Sequence, residues 1–195
     1  MKKYELTAEF IEKWGKKLFR IKALISFGSV EAGELGGYVE KEDNLAQDGD
    51  AWVCGDAWVC GNARVYGNAR VYGDAWVCGN ARVYGNARVC GDAEVYGNAE
   101  VCGDAWVYGN ADYLLIGRIG SRFSFTTFFK NKDKGITVSC GCFLGTIAEF
   151  RAKVTDTHGN NKHAKIYNLA ADMAELQILG EEYFDKLNTN KSEPF

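Results

Sequence analysis

The chain has 195 residues with 23 basic and 26 acidic side chains, a net charge of −3. Such near-balance argues against a bulk field for nucleic acid or an anionic membrane. No apolar run approaches the ~18 residues of a spanning helix, and no secretory signal is expected, so neither membrane insertion nor export is indicated.

Residues 3–27 read as a β-hairpin: Tyr4, Leu6, Ala8 and Phe10 alternate with polar residues, as do Phe19, Ile21 and Ala23, around a turn at Lys13-Trp14-Gly15-Lys16. Gly33, Gly36 and Gly37 then lead to degenerate repeats from about residue 39 to 50, with Val39 and Leu45 in register with the Ala positions that follow. An open strand edge invites polymerisation, so solenoids need atypical ends; residues 1–38 are the expected N-terminal cap.

Residues 51–110 hold ten copies of Ala-x-Val-x-Gly-(Asp/Asn). Ala and Val alternate with variable residues at the period of a strand, and Gly-Asp/Asn breaks the strand with a corner suited to left-handed backbone. Residues 58–75 and 76–93 match except at Tyr72 and Cys90. The larger unit is thus eighteen residues, three hexads to a triangular coil, and the coils stack about 4.8 Å apart as a parallel β-helix. Ala and Val fill the interior. Five of the seven cysteines share an outward slot with Tyr, which reads as reduced thiols in a cytoplasmic protein rather than a disulfide framework. Cys60 and Cys78 fall on adjacent coils at a spacing that allows a bridge.

The phrase resembles the hexapeptide repeat of left-handed parallel β-helix proteins, which implies the left hand. The flanks, Leu35 to Leu45 and Val138 to Phe143 with Gly145-Thr146, resemble segments of phage- and prophage-encoded proteins that carry such repeats. That resemblance implies a phage accessory protein and supplies no catalytic residue.

After the repeat segment (39–116), residues 117–187 read as strands, then helices, before a tail at 188–195 expected to be disordered. Strands are expected at 113–116, 123–129 and 136–140, with Cys140 and Cys142 on one strand face. Thr146 and Glu149 form a capping box for a helix that Gly159 ends, and Asn161 starts a second. Phe150, Ile166, Tyr167, Ala170 and Met173 are the expected oligomerisation residues, in a dimer or trimer. A third short helix is expected through Tyr183, Phe184 and Leu187. The fold class is therefore mainly β: a left-handed parallel β-helix with an N-terminal hairpin cap and a C-terminal α+β region.

Many hexapeptide-repeat proteins are acyltransferases or zinc carbonic anhydrases that depend on histidines at the coil. His158 and His163 both lie outside the repeats and no loop interrupts residues 51–110, so neither activity is expected, nor any cofactor or metal. Asp56, Asp74 and Asp92 should line one corner, as turn formers or as ligands of a shared cation. The outward slots form columns of Trp52, Arg70, Arg88 and Trp106, of Trp58 and Trp76, and of Arg64 and Arg82 beside Tyr66 and Tyr84. Trp and Arg dominate binding hot spots, and four outward tryptophans are more aromatic surface than a monomer ordinarily exposes. The columns point to a protein or self-association surface, or to nucleobase stacking with Arg taking phosphate; the plainer alternative is cross-coil stacking that stabilises the sheet. The expected function is a non-enzymatic phage-type inhibitor of a host factor such as an antiviral defence protein. Alternatives are a structural solenoid module and a sponge for a small nucleotide signal.

Overall fold

The computed structural model describes residues 1–180 and divides into two compact units, Met1–Asn110 and a second that begins at Ala111. The expected third helix and the tail lie outside the described residues.

In the first unit, β1 (Tyr4–Lys13) and β2 (Lys16–Ala23) form the expected hairpin, and β3 (Leu35–Val39) pairs with β2. The repeats supply ten two-residue strands: β4 (Trp52–Val53), β5 (Trp58–Val59), β6 (Arg64–Val65), β7 (Arg70–Val71), β8 (Trp76–Val77), β9 (Arg82–Val83), β10 (Arg88–Val89), β11 (Glu94–Val95), β12 (Glu100–Val101) and β13 (Trp106–Val107). Each of β4 to β10 pairs in parallel with the strand eighteen residues on, as Trp58 does with Trp76 and Arg64 with Arg82. Three sheets result, β1-β2-β3-β5-β8-β11, β13-β10-β7-β4 and β12-β9-β6, in a parallel β-solenoid of about four turns.

The ladder is regular. Trp58 N–H donates to the Ala75 carbonyl (3.1 Å), Cys60 to Val77 (2.9 Å) and Asn62 to Gly79 (2.8 Å), and the pattern recurs along the coil. All ten repeat alanines and ten valines are at most 1 % exposed. At the corners from Gly55 to Gly103 the left-handed residue is the glycine, with φ between 63° and 72°, while Gly109 is not left-handed; the following Asn or Asp is not left-handed either. The corner polar residue has a different use: Asn62, Asn80 and Asn98 form one amide ladder (3.3 and 3.2 Å), and Asn68, Asn86 and Asp104 another (3.2 Å each).

The entry differs from the expected register. Val39 pairs with Val59 and Leu45 bridges Val65, each twenty residues on rather than eighteen, so both take Val positions, not Ala positions. The extra length falls between Leu45 and Val53. There the N-terminus is anchored: Gln47 Oε1 accepts from Lys3 N–H (2.8 Å), and buried Lys3 donates Nζ to the Asp48, Gly49 and Ala51 carbonyls (3.3, 3.3 and 2.9 Å). Burial lowers the Lys3 pKa to about 8.

The second unit is an antiparallel sheet of β14 (Tyr113–Ile119), β15 (Ser124–Lys130), β16 (Ile136–Cys140) and β17 (Phe143–Thr146), with α1 (Ile147–His158) and α2 (Lys162–Leu179). Residues 113–116 pair with β15 and not with the coil. Cys140 and Cys142 do not share a strand: Cys140 pairs with Phe143 across a turn in which Gly141 has φ 61°. Thr146 and Glu149 form the capping box, Gly159 is the C-cap of α1, and Asn161 caps α2. Phe128, Val138, Phe150, Val154, Tyr167 and the alanines of α2 make the core, and Arg151 of α1 clamps Asp172 and Glu175 of α2, 2.7 Å from each.

Two predictions follow from these contacts. A Cβ on Gly79, at φ 72°, would lie 2.9 Å from Gly97 N, so Gly79→Ala combines backbone strain with a clash against immovable backbone. Urea denaturation should show a loss of about 1–3 kcal/mol; an unchanged midpoint would mean the coils separate more easily than this packing implies. Glu40 accepts from Lys16 Nζ (2.8 Å) and Gly61 N–H (2.6 Å). Burial raises its pKa, but these two donors outweigh burial and hold it below the usual carboxylate range. A depressed folded pKa gives stability that is present above the unfolded pKa of ~4.3 and lost as pH falls through the folded value. Glu40→Gln should therefore melt below wild type at pH 7, and the gap should close in acid; a gap constant from pH 7 to 3 would rule out this linkage.

Candidate functional site

The eighteen-residue register sets each outward residue beside the one eighteen positions on, and where both are aromatic the rings stack. Trp58 and Trp76 lie parallel with centroids 5.0 Å apart and planes at 6°, and Tyr66 and Tyr84 do the same at 4.9 Å and 7°. Cross-coil stacking thus accounts for the packing of these rings.

Not all of the expected outward tryptophans face solvent. Trp52 is fully buried, in edge contact with Tyr4 (6.3 Å) and Phe27 (5.4 Å), and Trp58 is 7 % exposed. They point out of the coil, but N-terminal residues cover them. Trp14, read from sequence only as a turn residue, sits edge-on to both Trp58 (4.8 Å) and Trp76 (4.7 Å) and is itself 67 % exposed. Trp76 and Trp106 are half-buried. The exposed aromatic side chains beside Trp76 are therefore Trp14 and Tyr96, which continues the Trp76 stack at 6.3 Å. An exposed Trp at a two-residue turn opposite two outward Trp slots was the available signal for this contact.

The arginines fare differently. Arg64, Arg82 and Arg88 are exposed and Arg70 is half-buried. Arg64 lies directly beside Arg82, and Arg70 beside Arg88. Like charges opposite one another destabilise a sheet. Compensation is partial: Arg82 Nη1 is 3.5 Å from Glu100 Oε1, and Arg88 lies over the Trp106 ring at 5.3 Å. The side of the coil bearing Arg64, Arg82, Tyr66 and Tyr84 thus has two exposed guanidinium groups in front of a stacked, half-buried tyrosine pair. It can pair with carboxylate or phosphate and stack against flat groups.

The thiols beside these columns are poor nucleophiles. Burial, then the adjacent Cys78, pushes the Cys60 thiol up to about 12, and all seven cysteines are free. Asp56, Asp74 and Asp92 are exposed, and no cluster of three or more His, Cys, Asp or Glu suited to a metal occurs among the described residues. His158 and His163 flank the α1–α2 break with ring centroids 5.8 Å apart.

Of the expected oligomerisation residues, Phe150, Tyr167 and Ala170 are buried in the core of the second unit. Ile166 and Met173 are not. With Leu169 and Leu176 they form an exposed stripe along α2, 38–63 % accessible. No helix among the described residues is long and apolar enough to cross a membrane.

A protein-family model described as the YdcK beta solenoid repeat matches residues 57–73, 63–79, 75–91 and 81–94. The match lies within the repeats and agrees with the observed β-solenoid. No curated protein matches the chain.

Proposed function

We propose that this chain is a non-enzymatic binding protein of phage type that inhibits a host factor, such as an antiviral defence protein, in the host cytoplasm. Its binding surface is the side of the coil bearing Arg64, Arg82, Tyr66 and Tyr84, and its partner presents an acidic patch. The observation that carries this reading is the pairing of Arg64 beside Arg82 and of Arg70 beside Arg88. These neighbours cost the sheet stability, and an acidic partner would turn that cost into binding energy. The phage assignment rests on the resemblance of the flanking segments. The finer architecture we infer is a left-handed coil of three hexads per turn, closed at its start by the hairpin; the eighteen-residue pairing offset and the likeness to hexapeptide repeats support it. A small nucleotide held by the same Arg and Tyr side chains is the alternative ligand.

The test is co-purification from host cells, compared between wild type and an Arg64→Ala/Tyr66→Ala/Arg82→Ala variant. The expected outcome is a stoichiometric partner whose affinity falls about thirty-fold or more in the variant, as for loss of hot-spot contacts worth ~2 kcal/mol. It should also weaken with salt. A partner held equally by both proteins would place binding elsewhere.

A second reading, a self-associating structural module, is favoured by the exposed stripe of Ile166, Leu169, Met173 and Leu176. Leu169→Glu with Met173→Glu should then lower the native mass to that of one chain. An oligomer unchanged in mass would remove α2 as its interface.

A further inference from the structure

The second unit contains a cleft that the solenoid reading does not use. It encloses about 390 Å³ and is lined by residues of α1, of the turn before β15, of the β16–β17 turn and by Tyr167 of α2. That volume lies at the lower end of small-ligand pockets.

Its chemistry is one-sided. Arg122, Lys153 and His158 line it, and among the described residues no carboxylate does. Arg122 makes no ion pair among the described residues. The one partner seen for Lys153 is Asp156, 3.3 Å away, in a pair whose side chains are 63 % and 74 % exposed; such surface pairs are worth little. A positive cleft in a chain of net charge −3 runs against the sign of the whole, and low-dielectric walls concentrate its field.

The walls are aromatic. Phe150 meets Phe143 at 5.6 Å and Tyr167 at 5.6 Å, edge-on to the latter, and His158 stacks on Tyr167 at 5.7 Å. The Tyr167 hydroxyl lies near the Cys140 thiol and within the field of Arg122. It also lies against Gly120, at φ 71°, where an added Cβ would overlap the phenol. The turn carrying Arg122 therefore reaches this position only because residue 120 has no side chain. Phe123 closes the same turn with φ 48°, a strained value for a bulky residue.

We propose that this cleft binds a small anion borne on an aromatic ring, an aryl phosphate or aryl carboxylate of one or two rings. Arg122 and Lys153 take the anionic oxygens, and the ring lies against Phe143 and Phe150. The site belongs to the second unit alone and does not depend on the role given to the solenoid arginines.

The test is NMR titration of the ¹⁵N-labelled full chain with phenyl phosphate and with benzoate, against phenol and inorganic phosphate as controls. At least one aryl anion should bind in the millimolar range or tighter at low salt and shift the amides around Phe143 and Phe150. Phenol and inorganic phosphate should each bind at least about tenfold more weakly, because each supplies half of the recognition. Arg122→Ala with Lys153→Ala should weaken the aryl anion about tenfold or more while leaving the amide spectrum of the core intact, since both side chains are exposed. Whichever of the two aryl anions binds tighter identifies the anionic group. Three results would each overturn the proposal: neither aryl anion shifts these amides, phenol binds as tightly as phenyl phosphate, or the double variant binds unchanged. Binding that Arg122 and Lys153 control would stand even if the solenoid face proved inert.

Discussion

Each coil of the solenoid bonds its backbone to the next, and glycine lies directly over glycine at the corners. Most of what is distinctive in the first unit depends on that constraint. A Cβ built on Gly79 or Gly85 would lie 2.9 Å from the backbone nitrogen of the corner above, so the ladder tolerates no side chain there and no slip of register. With the register held, whatever occupies an outward slot must live beside the residue eighteen positions on. Tryptophans and tyrosines stack, corner asparagines form amide ladders, and arginines face arginines. The first two arrangements stabilise the coil; the third opposes it, which is why the arginine pairs carry the functional reading and the tryptophans do not.

At the start of the coil the N-terminal segment packs against the solenoid and extends one of its three sheets. Two residues more than the repeat requires lie between Leu45 and Val53, and the widened segment receives Lys3 and the backbone of Tyr4. The hairpin then extends one sheet through β3, while Tyr4, Phe27 and Trp14 settle on outward tryptophans. The segment that pairs with the coil also covers part of its aromatic surface, so it decides which columns remain exposed.

The second unit is built by ordinary means. Small residues on α2, namely Ala164, Ala170, Ala171 and Ala174, let the helix pack closely in the core, and the Arg151 clamp joins the two helices. Because α2 also carries Ile166, Leu169, Met173 and Leu176, its periodicity admits two apolar stripes. Packing chooses the alanine-rich one, and the bulkier side chains stay at the surface.

From sequence alone, the repeat, its in/out alternation, the eighteen-residue period, the hairpin with its turn and both helix caps were legible. Each is a local pattern whose meaning is set by backbone geometry within a few residues or by exact repetition. Burial of Trp52 and Trp58, the position of Trp14, the twenty-residue offset at Val39 and Leu45, the choice between the two stripes of α2 and the cleft around Arg122 were decided only by the tertiary structure. These features join residues far apart in the chain, such as Tyr4 with Trp52 or Gly120 with Tyr167, and no periodicity records which distant side chain will cover an outward slot.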